Sequence, residues 1–274
     1  MNEKADYVLG QSKRAARRLE IQDAHFAEPS ELLLDELALR PQERVVELGC
    51  GAGSFSKRVL RRLGPGGVLV GIDCTTGLLE QAHASLTGVG AARFEPVLAD
   101  IAELGSWLDG ADAIVARTML HHVPMVEFTL GRLRARLKPG TRLGLLEPDF
   151  RIPLTRIAYL EAGGRTELAP LRMWAVAINQ LYQLIRVSPD IGGTLARTLE
   201  YGGYRDVHAA WSECPSNALT LENMLMFYDE VRDRLQALGI MSAAEIDEQQ
   251  RLLRALRPDG LPAVWGIHRV VCSA

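Results

Sequence analysis

The sequence predicts an α/β protein built on a doubly wound, seven-stranded, mostly parallel sheet. Three observations carry that expectation. Short β-branched runs recur along the chain, stretches of helical period separate them, and the first run ends in a turn containing Gly49, Gly51 and Gly53. Strands alternating with helices at this spacing form βαβ units, whose right-handed crossovers cover both faces of a parallel sheet.

From Tyr7 to about Gln22 the chain reads as helix, and a second helix begins near Pro29, since proline fits a first turn and ELLLDELAL follows. RVVELG is the first strand, β-branched and stopped by glycine, and SFSKRVLRRL is the helix after it. The alternation continues with VLVGID and GLLEQAHASL, then FEPVLAD and a short helix in IAELGSWL. AIVARTM and RLGLLEP are two further strands, separated by the helix EFTLGRLRARL and the turn Lys138, Pro139, Gly140.

After Glu147 the rhythm breaks. A long helical stretch from about Thr166 to Arg186 carries the stripe Leu171, Trp174, Ile178, Leu181, Ile185, with Met173, Val176 and Leu184 apolar on other faces. GGTLARTLEYGGY and RDVHAAW restore a helix and a strand. A second insertion runs from about Thr220 to Arg257, where Ser242 with Glu245 reads as a capping box, and AVWGIHRVVCSA is the final strand. The expected organisation is a helical N-terminal segment, 1–40; a core of 41–150, 187–212 and 263–274; and helical insertions, 151–186 and 213–262, that form a lid or a dimer face.

With 274 residues, 47% of them apolar, the chain can bury a full core. A formal charge of -3 gives no general attraction to polyphosphate, so nucleic acid is not an expected partner. Lys13, Arg14, Arg17 and Arg18 fall at helical spacing and read as a solvated face. Neither a leader peptide nor a membrane-spanning run is apparent, and Cys50, Cys74, Cys214 and Cys272 form no CxxC pair, which points to free thiols in a cytoplasmic protein. No metal site is evident: Glu147 and Asp149 merely flank a proline.

The chemistry concentrates at strand ends. Glycines let the backbone turn tightly and approach a ligand, and the crevice beyond the carboxyl ends of an open sheet is where nucleotides bind. Asp73 ends the second strand, where a carboxylate can accept hydrogen bonds from both ribose hydroxyls. Asp100 ends the third, within reach of an adenine amino group, with Ile101 beside the base. Glu47 supplies negative charge near a cationic end, and Arg117 begins the loop after the fourth strand. Each acid has the alternative of capping a helix or solvating a loop.

These segments, VVELGCGAGSF, GID, LAD, ARTMLHHV and LKPGTRLGLLEPD in that order, resemble the class I S-adenosylmethionine-dependent methyltransferases, whose fold is Rossmann-like. The resemblance covers roughly Arg44 to Asp149 and extends through the final strands. It implies that the glycine turn contacts the methionyl part of the cofactor, the acid after the second strand the ribose, and the acid after the third the adenine. By position the cofactor set becomes Glu47, Gly49, Cys50, Gly51, Gly53, Asp73, Cys74, Asp100, Ile101 and Arg117. YVLGQSKRAARRLEIQ is also similar to the cofactor-covering helix of small-molecule members related to ubiquinone and menaquinone methyltransferases, which would bring Tyr7, Arg18, Gln22 and His25 over the cofactor.

His121 and His122 follow the fourth strand and are the candidate general bases, although methyl transfer from a sulfonium can proceed by alignment and desolvation alone. Met173, Trp174, Tyr182, Met224, Phe227 and Tyr228 are candidates for an acceptor pocket. The expected activity is methylation, at oxygen or carbon, of a small hydrophobic molecule such as a secondary metabolite or a quinone-like compound; the alternative is a repurposed S-adenosylmethionine-binding protein of the same fold. A nicotinamide dehydrogenase is disfavoured because GCGAGSF spaces its glycines GxGxG, and an RNA methyltransferase because no NPPY-type tetrapeptide occurs.

Overall fold

The computed structural model describes residues 13–274, with side chains from Arg17 onward. Tyr7 and the side chains of Lys13 and Arg14 lie outside the described residues. The strands are β1 (Arg44–Leu48), β2 (Val68–Asp73), β3 (Arg93–Leu98), β4 (Ala113–Arg117), β5 (Arg142–Pro148), β6 (Arg205–Cys214) and β7 (Trp265–Ser273). The helices are α1 (Lys13–His25), α2 (Ala27–Leu37), α3 (Ser56–Arg62), α4 (Thr76–Leu86), α5 (Val126–Arg136), α6 (Arg151–Ala162), α7 (Ala169–Leu184), α8 (Ile191–Tyr201), α9 (Ala218–Ala237) and α10 (Ala243–Ala255).

The strands form one seven-stranded sheet in the order β3-β2-β1-β4-β5-β7-β6. β1 to β5 pair in parallel, with Val46 beside Val70 and Ile114, and β7 runs antiparallel to β5, with Val270 beside Leu145. Central strands covered on two faces need unbroken apolar runs, and β1, β2, β4 and β5 have them; β3, at an edge, alternates more exposed positions. The chain divides into two units: a sheet unit of 26–149, 190–212 and 266–274, and a helical unit of residues up to His25, 150–189 and 213–265. α1 belongs to the helical unit and α2 to the sheet unit.

In the sheet unit, one layer of the core joins Val46, Val70, Ile114 and Leu143 to Leu130 of α5 and Leu195 of α8. On β5, Gly144 leaves room for Leu33 and Leu37 of α2; a Cβ there would meet Leu37 at 3.0 Å. Arg142 then reaches the carbonyls of Leu37 and Ala38 at 2.6 and 2.7 Å, satisfying acceptors that the end of α2 leaves over.

The helical unit has its own aromatic core. The Trp174 ring lies 5.2 Å from Phe227 and 5.0 Å from Trp265, and Tyr182 sits edge-on to Phe150 at 5.4 Å. Trp174, Tyr182, Met224, Phe227 and Tyr228 are buried and Met173 half-buried, so five of the six candidate pocket residues pack in an interior. Arg18 joins α1 to α9 through a 2.9 Å ion pair with Glu230. Gln22 is half-buried, and burial pushes the buried His25 down to about 4. Capping boxes open α9 (Asn217 with Thr220) and α10 (Ser242 with Glu245), the second as the sequence predicts.

Two local expectations change. IAELGSWL holds only a 3₁₀ turn, Ser106–Leu108, because Asp100 Oδ1 takes the Ala102 N–H into a tight turn and the extended Gly105 prevents a longer helix from forming. The stretch from Thr166 begins as a 3₁₀ turn, Thr166–Leu168, and is α-helical only from Ala169. Before it, α6 falls within the insertion 151–186 that the sequence reads as helical; its Pro153 falls in the first turn, where proline is tolerated. No helix among the described residues is long and apolar enough to cross a membrane.

Candidate functional site

The sheet order places a topological switch point between β1 and β4: successive strands from β1 run to one side through β2 and β3, and from β4 to the other through β5. A crevice opens beyond the carboxyl ends of such strands. Its walls are the turn after β1 and the turn after β4, both within the sheet unit.

The first turn is Gly49 to Gly53. Gly49, Gly51 and Gly53 have φ of +70°, +53° and +87°, a region that costs an L side chain roughly 1–2 kcal/mol per residue. Cys50 N–H bonds the Ile72 carbonyl at 2.9 Å, holding the turn to β2. Gly51 N–H donates to Asp73 Oδ2 at 2.9 Å, while Asp73 Oδ1 accepts from Thr75 N–H at 2.9 Å. Asp73 therefore anchors the glycine turn and the start of α4 together. The Thr75 side chain and the Cys74 N–H also donate to this half-buried carboxylate. Burial raises its pKa, opposed by these N–H donors.

Glu47 is buried near the end of β1. Burial, with the nearby carboxylates of Glu47 and Asp73, pushes the Cys50 thiol well up, so it is a packing group and not a reactive one. Cys74 is exposed, Asp100 is exposed and turned back on Ala102 N–H, and Ile101 is half-buried beside it.

The second turn begins at Arg117, whose guanidinium donates to Ser30 Oγ at 3.1 Å and lies 4.8 Å over the Phe55 ring. Thr118 takes φ +51° and donates its N–H to Leu146 O at 2.8 Å. Glu147, at the end of β5 and fully buried, then accepts from the N–H groups of Met119 at 2.8 Å and Leu120 at 2.7 Å on Oε1. Its Oε2 lies 2.8 Å from His121 Nδ1. Burial pushes Glu147 up to about 7 against the downward pull of these donors. A carboxylate on Nδ1 fixes the tautomer that leaves Nε2 as the basic nitrogen. His122 is half-buried, its ring 4.0 Å from that of His121.

The structure thus gathers Glu47, the glycine turn, Asp73, Asp100, Arg117 and both histidines at the carboxyl edge of one sheet. Sequence reasoning missed Glu147 and Met119 as parts of this edge, along with Thr75 and Ser30. The only sequence signal for Glu147 is an acid in an otherwise apolar strand, LGLLEP, which demands buried partners.

Residues 46–143, all within the sheet unit, match the family model described as a methyltransferase domain. A trans-aconitate 2-methyltransferase of Variovorax paradoxus is 37% identical over 123 residues, 45% of this chain and 45% of that protein. The chain spans about a third to a half of the length of curated relatives such as this one and an uncharacterized protein of transposon TN4556 from Streptomyces fradiae. Among solved structures, the YcgJ protein from Bacillus subtilis is similar with a TM-score of 0.56 at 16% identity, covering 90% of this chain and 97% of that one. The cyclopropane synthase MmaA2 from Mycobacterium tuberculosis gives 0.55 at 16% identity, covering 90% and 84%. At such identities the structures speak for the fold alone. Residues 46–143 are thus similar to a methyltransferase domain and lie in a seven-stranded, mostly parallel sheet.

Proposed function

We propose that this protein transfers a methyl group from S-adenosylmethionine to oxygen or carbon of a small, largely apolar organic acceptor. The observation that carries the proposal is the coupling of the glycine turn to Asp73: three left-handed glycines and a half-buried carboxylate at the end of β2 that grips the turn. Gly49 to Gly53 would hold the methionyl part, Asp73 with Cys74 the ribose, and Asp100 with Ile101 the adenine. The bound cofactor supplies an activated sulfonium methyl. His121, with Nδ1 on Glu147, is suited to accept a proton from the acceptor at Nε2.

Acceptor choice is assigned to segments beyond residue 143, where the family match ends. Incubation with S-adenosylmethionine and pooled metabolites, followed by mass spectrometry, is expected to show S-adenosylhomocysteine and a product heavier by one CH2. Cofactor binding with no S-adenosylhomocysteine formed across acceptor pools would leave a repurposed binding protein of the same fold. Asp73→Ala is expected to weaken S-adenosylhomocysteine binding by about 1–3 kcal/mol, the scale of lost hydrogen bonds to a charged acceptor. Wild-type affinity in the folded variant, read by isothermal titration, would remove Asp73 from the site.

A further inference from the structure

The turn after β4 is held in a conformation that its own residues do not favour. Thr118 is β-branched, and its φ of +51° is a backbone state that such residues rarely adopt. A strained residue persists only where its surroundings over-determine it. Here the surroundings are largely one side chain. Glu147 takes the next two N–H groups, of Met119 and Leu120, on one oxygen and the His121 ring on the other. Its own backbone is fixed in turn, since Gly192 of α8 packs so closely that a Cβ there would lie 2.4 Å from the Glu147 carbonyl oxygen and 2.6 Å from that of Pro148.

The held turn delivers Met119 to the opposite wall. Its side chain occupies the space beside Gly49, where a Cβ would fall 2.2 Å from Met119 Cγ. We propose that Glu147 is a positioning residue for cofactor binding, which by gripping Met119, Leu120 and His121 sets how Met119 rests on Gly49 and so fixes the shape of the glycine turn. The assignment rests on the proposed cofactor site. It makes Glu147 act through Met119, without itself touching the cofactor.

Glu147→Gln preserves volume and an oxygen for the two N–H groups but loses the carboxyl oxygen facing His121; Glu147→Ala loses both. Titration with S-adenosylhomocysteine is expected to give Kd about three- to tenfold higher for Glu147→Gln and higher still for Glu147→Ala, with faster amide exchange at Met119 and Leu120 in the ligand-free protein. Leu143→Ala, a core change on the same strand, should lower the melting temperature and leave Kd unchanged. Met119→Ala tests the same contact without touching the buried carboxyl, and should raise Kd by a few-fold in a folded protein. If the wild type binds and both Glu147→Gln and Met119→Ala bind equally well, the positioning role is overturned. If the wild type itself fails to bind S-adenosylhomocysteine, the cofactor reading falls first.

Discussion

A protein carrying Gly49→Ala is expected to lose S-adenosylhomocysteine binding by 30-fold or more while keeping its helical circular dichroism. Two costs arise at one atom. The added Cβ would stand 2.2 Å from Met119 Cγ and 3.0 Å from Met119 Cβ, and the φ of +70° is itself unfavourable for alanine. Left-handed alanine costs about 1–2 kcal/mol and overpacking about 1–3 kcal/mol. The turn can escape both by adopting another shape, and returning to the binding shape would consume about 2 kcal/mol or more, at roughly 1.4 kcal/mol per tenfold in affinity. Adding Met119→Ala relieves the steric part and leaves the dihedral part, so the double variant should recover some affinity but not all of it. Unchanged binding by Gly49→Ala would mean that the turn receives no ligand.

Gly192→Ala is expected to be strongly destabilising, lowering stability by about 3 kcal/mol, near the upper end of overpacking costs. Its Cβ would meet carbonyl oxygens of Glu147 and Pro148 at 2.4 and 2.6 Å, and backbone cannot rotate aside as a flexible side chain can. α8 must lift from β5, uncovering Ile191, Leu195 and Leu199, which are all buried in the sheet unit's core. Gly131→Ala is the matched control. It lies in α5 with nothing within 4 Å of the added atom, so replacing this glycine should stabilise by about 0.5–1 kcal/mol. Urea unfolding of the two variants should move in opposite directions, and a shared direction would refute the packing account.

Much of the sheet was legible because fully covered parallel strands leave a local mark: RVVEL, VLVGID, AIVAR and RLGLLEP are apolar runs ended by turn residues. The alternation of these runs with helices also gave the doubly wound arrangement. Capping at Ser242 was legible because its partner, Glu245, is three residues away. The grip of Glu147 was not, because its partners lie 26 to 28 residues back in the chain and only the pairing of β4 with β5 brings them together. The same limit applies to Met119, an apolar residue whose meaning depends on the missing side chain of Gly49.

The position of β7 between β5 and β6 has a cost during biosynthesis. Over a hundred residues separate the end of β5 from the start of β7, which at about 5–20 residues per second is on the order of ten seconds of translation. Throughout that interval the flank of β5 that β7 will pair with has no partner from its own sheet, and the N–H and C=O groups beside Leu143 and Leu145 form an open edge. Nascent chains would therefore pass through a sticky, incomplete sheet before the gap is filled. Expression yield should accordingly respond more to chaperone supply and slower synthesis at low temperature than the stability of the finished protein alone would imply.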